Sequence, residues 1–159
     1  MNKEFRKEDE QYMRKAITCA QQAFSKGEVP IGAVLVADGG ANRTNSTAKV
    51  LASTYNLVET LCDATAHAEM QAITAGTAEL GSKYLQDCTL YVTIEPCPMC
   101  AAACRWSQIG RVVWGADDPK GGYRRYSETL MHPKTVIQNG VLAEECAELM
   151  KKFFSELRN

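Results

Sequence analysis

The sequence predicts an α/β protein, a three-layer α/β/α sandwich around a mixed five-stranded sheet. Two observations lead there. Apolar residues recur at helical spacing near both ends of the chain, and short apolar runs of strand length alternate with helical stretches in between. From residue 8 to 26, Met13, Ala16, Ile17, Ala20, Ala23 and Phe24 keep a helical period, and Gly27 is a stop. The run Pro30 to Val36 reads as a buried strand. Asp38 to Thr47 is a polar turn, and Lys49 to Tyr55 a second strand, so the pair forms a hairpin with a long tip. Residues 66–79 read as a helix with Met70, Ile73 and Thr74 on one face. Cys88 to Ile94 is a strong strand signal. Pro98 to Trp106 is Ala-rich and opens on proline, which suits a first helical turn. Arg111 to Gly115 is another strand, 116–134 is turn-rich and basic, and Thr135 to Ile137 is a last short strand. Val141 to Leu157 carries Leu142, Cys146, Leu149, Met150, Phe153 and Leu157 as an amphipathic terminal helix.

At 159 residues the expectation is one domain, 1–159. A chain of this size buries enough surface to fold without disulfides. With 45% apolar and 23% charged residues, Gly 11 and Pro 5, collagen-like and disordered classes are excluded. Lys+Arg of 18 against Asp+Glu of 19 shows no global basic excess, though a local patch can hide inside a neutral total. The first ten residues are mostly charged and no apolar core of a secretory signal follows them. No apolar stretch has the length to cross a bilayer, so a cytoplasmic protein is expected. Seven cysteines, an odd number, then read as thiols or metal ligands rather than a disulfide framework.

Two segments carry chemistry, and each sits where a helix begins. They are Ala66-His67-Ala68-Glu69-Met70 and Glu95-Pro96-Cys97-Pro98-Met99-Cys100. Cys97 and Cys100 are three apart and share one face of a helical turn. A helix N-terminus favours the thiolate that a metal needs. His67 supplies a third ligand from the start of the other helix. Three protein ligands and an open position describe a catalytic zinc site. Neighbours at i and i+2 do not face each other, so a metal on His67 sits beyond the helix end. From there Glu69 reaches a water at the metal's open position without ligating, as a general acid/base must. A four-ligand structural site that recruits Cys62 or Cys104 is the alternative, as is a redox-active Cys-x-x-Cys.

His-x-Glu followed by Pro-Cys-x-x-Cys is the signature of zinc nucleobase deaminases. On it the sequence resembles the cytidine-deaminase-like superfamily, and within that the bacterial tRNA-specific adenosine deaminases. The likeness covers nearly the whole chain. It includes Glu28 to Val34, Asp63 to Met70, Leu90 to Cys97 and Gly140 to Cys146. The resemblance implies that His67, Cys97 and Cys100 bind zinc and that Glu69 moves protons. It also implies that Asn56 and Val29 contact the substrate, and that the chain works as a homodimer. The implied reaction is hydrolytic deamination of adenosine to inosine in tRNA, at the wobble position of the anticodon stem-loop.

Four features depart from that pattern. The hairpin tip between Val36 and Val50 is long, and Asn42-Arg43-Thr44 and Asn45-Ser46-Thr47 within it fit glycosylation sequons by coincidence. Pro98 stands where guanine-deaminase relatives also carry proline. The usual Lys-Thr-Gly-Ala stretch is replaced by Lys120 to Tyr126, and no long basic tail follows. From Pro119 to Lys134 the charge is +3, with Lys120, Arg124, Arg125 and Lys134 against Glu128. Tyr123 and Tyr126 interleave with these cations, which suits phosphate contact and base stacking. The plainer reading is a solvated loop. Phe154, near the end of the last helix, is a further candidate for nucleic-acid contact. Two rivals remain open. One is a deaminase of free bases or nucleosides. The other is a zinc-stabilised binding module, against which an intact Glu69 speaks.

Overall fold

The computed structural model describes residues 5–42 and 47–158. Its elements are α1 (Asp9–Ser25), β1 (Gly32–Ala37), β2 (Lys49–Tyr55), α2 (Val58–Leu61), α3 (Ala68–Leu80), β3 (Cys88–Ile94), α4 (Pro98–Ser107), β4 (Arg111–Ala116), β5 (Val136–Asn139) and α5 (Ala143–Leu157). The five strands lie in the order β2-β1-β3-β4-β5. β1 pairs antiparallel with β2 and β3, while β3–β4 and β4–β5 are parallel, so the sheet is mixed as expected.

Strand alternation divides the core into two layers. Ala33, Leu35, Leu90, Val92, Val112 and Trp114 face α3 and α4. Val34, Val36, Tyr91 and Val113 face α1 and α5. Both faces of the central strands are covered, which is why their sequences read as continuous apolar runs. Each fully buried Leu or Val contributes about 1.5–3 kcal/mol relative to exposure.

Two expectations need correction. The buried face of α3 is Ala68, Ala72 and Gly76, with Ile73 beside it, while Met70 is half-buried and Thr74 exposed. The helix lies so close to the sheet that a β-carbon on Gly76 would run into the Leu35 side chain. Close approach selects small residues, so the largest apolar side chains mark the wrong face. Both flanking helices also begin two residues late. His67 is the extended cap of α3, and Leu142 is left-handed at φ 53° before α5. The four-residue α2 has no counterpart in the sequence pattern, because one turn is too short to show a period. Residues 43–46 of the long hairpin tip, which include two residues of each sequon, lie outside the described residues.

The start of β1 and the ends of β2, β3 and β4 share one end of the sheet. The opposite end is closed by buried ion pairs. Arg111 forks onto Asp9 through Nη2–Oδ2 at 2.7 Å and Nη1–Oδ1 at 2.8 Å, and the Tyr91 hydroxyl donates to Asp9 Oδ1 at 2.7 Å. Beside them Arg6 lies 3.6 Å from Asp38, whose other oxygen accepts from Thr89 at 3.0 Å.

Candidate metal centre and its cavity

His67 caps α3 and Cys97 caps α4, each in extended backbone conformation, so both helices begin at the site with first-turn N–H groups that have no partner within the helix. Pro98 follows as the first residue of α4 and sacrifices no hydrogen bond there. Cys100, one turn in, lies beneath. The Nδ1 of His67 is 3.6 Å from Cys97 Sγ and 3.5 Å from Cys100 Sγ. All three ligand atoms fall within 4.8 Å of one another. A tetrahedral zinc with bonds of about 2.3 Å to sulfur and about 2.0–2.1 Å to nitrogen would hold such atoms about 3.6 Å apart. The donor set therefore fits zinc in both chemistry and spacing. Cys62 is exposed at the end of α2 and Cys104 is sunk in the core, so neither joins the cluster, and the four-ligand alternative falls.

The charges around the trio follow from contact and burial. Cys97 is pulled well below the usual thiol range, chiefly by a hydrogen bond from Cys100 and also by His67. The His67 imidazole is raised in return by Cys97. Glu69, only 4% exposed, is pushed up to about 7, first by burial and then by the nearby Cys97. A carboxyl poised near neutrality beside a metal centre can both take and give a proton.

The trio opens into a cavity of about 830 Å³. Val29, Ile31 and Asn56 form one wall, with Val58, Glu59 and Ala64 of the α2 region above them. Met150, Phe153, Phe154 and Leu157 of α5 form an apolar lobe, in which Phe153 is buried and Phe154 is 39% exposed. Asp118 and Gly121 close the third side. His67, Glu69, Cys97, Asn56, Val29 and Phe154 thus all line one cavity.

The basic segment divides. Lys120 and Arg125 are exposed, with Arg125 donating to the Lys120 carbonyl at 3.0 Å. Arg124 turns inward, pairing with Glu95 and Asp117 at 3.0 Å each and lying over the Trp114 ring. Glu95 is buried and accepts from the backbone N–H of Asp118 and Arg124 as well. A β-carbon on Gly122 would strike its carboxyl, so the Gly121-Gly122 departure lets the loop wrap onto Glu95. Tyr123 N–H donates to the Pro96 carbonyl at 2.9 Å, fastening that loop to the metal-bearing turn.

Sequence reasoning does not single out Glu95 or its counterpart Glu28, although a signal exists. Each borders an apolar strand that must be buried, and a buried carboxylate requires built-in partners.

Residues 6–116 match the model of the cytidine and deoxycytidylate deaminase zinc-binding region. A tRNA-specific adenosine deaminase of Bacillus subtilis is 44% identical over 156 residues, covering 95% of this chain and 91% of its own length. One from Agrobacterium fabrum is 40% identical, covering 92% of this chain and 94% of its own. Among solved structures, a tRNA:A34 deaminase studied for A-to-I editing at the wobble position superposes with a TM-score of 0.75 at 39% identity. That match covers 87% of this chain and 98% of the other. A guanine deaminase of Bacillus subtilis gives a TM-score of 0.59 at 37% identity, over 68% of this chain and 64% of its own.

Proposed function

Since the chain belongs to the cytidine and deoxycytidylate deaminase zinc-binding family, and within it to the tRNA-specific adenosine deaminases, we propose that it converts adenosine to inosine at the wobble position of a tRNA anticodon loop. The observation that carries this reading is the meeting of a zinc-fitting trio and a buried carboxyl in one cavity. His67, Cys97 and Cys100 would hold the zinc, which when bound would supply a water acidified toward about neutrality. Glu69 is placed to take one proton from the attacking water and pass it to the ring nitrogen as the C6–O bond forms, then to take the remaining hydroxyl proton and give it to the amino group, so that the C6–N bond breaks and ammonia leaves. Glu69, buried in the cavity beside the ligand trio, is the carboxyl placed to carry both protons. Asn56 and Val29 hold the base or its sugar. An anticodon-loop base unstacks at little cost, so it can enter the cavity.

The whole chain acts as one deaminase domain, and its place of work is the cytoplasm, where its tRNA substrate is found. Among the described residues no helix is long and apolar enough to cross a membrane. A homodimer is supported by the outer face of α4. There Met99, Ala102, Ala103 and Trp106 follow a helical period, and Trp106 is 82% exposed.

The test is incubation with an anticodon stem-loop bearing a wobble adenosine, and separately with free adenosine, guanine and cytosine, followed by mass spectrometry. Inosine should form in the RNA, with little turnover of the free compounds. Rapid deamination of guanine with no inosine in RNA would transfer the assignment to the free-base class, which the guanine-deaminase likeness and Pro98 favour.

A further inference from the structure

Glu28 is fully buried at the turn between α1 and β1, and its carboxylate grips the opening of α2. One oxygen accepts from Glu59 N–H at 2.9 Å. The other accepts from Thr60 N–H and from the Thr60 hydroxyl, both at 2.6 Å. Burial alone would raise this carboxyl, but the hydrogen bonds from Thr60 and Glu59 outweigh it and hold it below the usual range. It is therefore an anion that accepts three bonds at neutral pH.

What the anion holds matters for the substrate. α2 is a single turn, too short to persist in water without outside support. Its residues Val58 and Glu59 roof the cavity beside Asn56. Other bonds reach the segment: Asn56 N–H to the Ile31 carbonyl at 3.1 Å, Leu57 N–H to the Ala66 carbonyl at 3.0 Å, Val58 N–H to Asn56 Oδ1 at 3.4 Å and Asp63 N–H to the Val58 carbonyl at 3.1 Å. The first two anchor its beginning, and the last two are local to the segment itself. The Glu28 carboxylate anchors the turn itself, tying the wall that carries Val29 to the wall that carries Val58.

We infer that Glu28 is a positioning residue for the nucleoside: it fixes α2 so that the roof of the cavity and Asn56 keep the geometry that binds the base. This deepens the proposed tRNA deaminase function and rests on it. Glu28 lies at the edge of the cavity, and its hydrogen bonds go to Glu59 and Thr60 rather than to the metal ligands or Glu69. Its loss should weaken substrate binding and leave the chemical step in place, which is the signature of lost uniform binding.

The test compares Glu28→Gln, Thr60→Val and Thr60→Ser with the wild type on the anticodon stem-loop, with zinc content and melting temperature measured on each. Glu28→Gln keeps the size but replaces one accepting oxygen by a donor. It should raise KM by about tenfold, with kcat within about twofold. Zinc content should be unchanged. Thr60→Val should raise KM by a smaller factor, and Thr60→Ser, which restores the hydroxyl, should return it to the wild-type value. A folded Glu28→Gln with unchanged KM overturns the inference. So does one in which kcat and zinc content fall together while KM stays. If Glu28→Gln fails to fold, the threonine pair decides, and equal KM in Thr60→Val and Thr60→Ser overturns it. A wild type that forms no inosine in the stem-loop fails the function itself, and that result is read before any variant is made.

Discussion

At the end of the sheet away from the cavity, buried charges meet in opposite pairs, Asp9 with Arg111 and Asp38 with Arg6. At the cavity end, Glu28 and Glu69 are as deeply buried, yet among the described residues neither has an ion pair. Glu28 is held by N–H and O–H donors, and Glu69 stands beside the metal trio. The carboxyls respond in opposite directions. Burial would raise Asp9, but hydrogen bonds from Arg111 and Tyr91 bring it below its ordinary range, whereas burial lifts Glu69 to about 7. One end sets its charges against each other and gains stability. At the cavity end Glu95 is paired with Arg124, but Glu69 beside the ligand trio is left without a fixed counter-ion, and so retains a capacity to move a proton.

The largest effect expected from disturbing this contrast is on catalysis at the cavity end. Glu69→Ala should keep zinc and the fold but lose at least about 10²–10⁴ in turnover, the usual worth of general acid–base catalysis. Cys97→Ala should lose the zinc as well. Elemental analysis beside single-turnover rates checks both. Zinc missing from Glu69→Ala would make Glu69 a ligand rather than a proton carrier.

At the far end, Asp9→Asn should cost about 3–5 kcal/mol of stability, because it leaves the Arg111 guanidinium buried without its partner. Zinc content and turnover per folded molecule should not change. The pH dependence follows from the lowered carboxyl. The ion pair contributes fully above the ordinary aspartate value of 3.8, and its contribution drains away as pH falls below that. Denaturant titrations should therefore show the gap between wild type and Asp9→Asn narrowing as pH falls from about 5 to about 2. The sign for Glu69 is reversed. In chelator-treated protein, native Glu69 holds a proton that the unfolded chain has released, so stability falls as pH rises from 4.5 toward 7. Glu69→Gln should remove that fall.

The smallest effect concerns the cavity's rim. Reversing Lys120 and Arg125 to Glu should flatten the salt dependence of RNA binding by roughly 0.7–0.9 for each phosphate no longer neutralised. Arg124 is left out, since it supports Glu95 and its loss would confound the result. An unchanged slope would return the stretch to a solvated loop.

The metal trio and Glu69 were legible because each half of the site is local. His67 and Glu69 lie on one helix start, and Cys97 and Cys100 on another, at spacings that a single turn dictates. The strands were legible because both of their faces are covered and their apolar runs are unbroken. α2 was not, having no room for a period. The packing face of α3 misled for a different reason. Closeness between helix and sheet is a property of the pair, and it favours alanine and glycine over the bulkier residues that periodicity highlights.

Sequence alone determined the ligand types, their placement at helix starts, the position of Glu69 two residues after His67 and the layered arrangement of helices on a mixed sheet. These depend on neighbours within a few residues and on patterns of burial. Only the tertiary structure decided which charges meet. It turned Arg124 inward onto Glu95 while leaving Arg125 outside, and it set Glu28 against a turn 31 residues away. It also joined Asp9 to Arg111 across 102 residues. Such pairings carry no local signature, because the free energy of a buried charge depends on what the fold brings beside it, and that partner lies elsewhere in the chain.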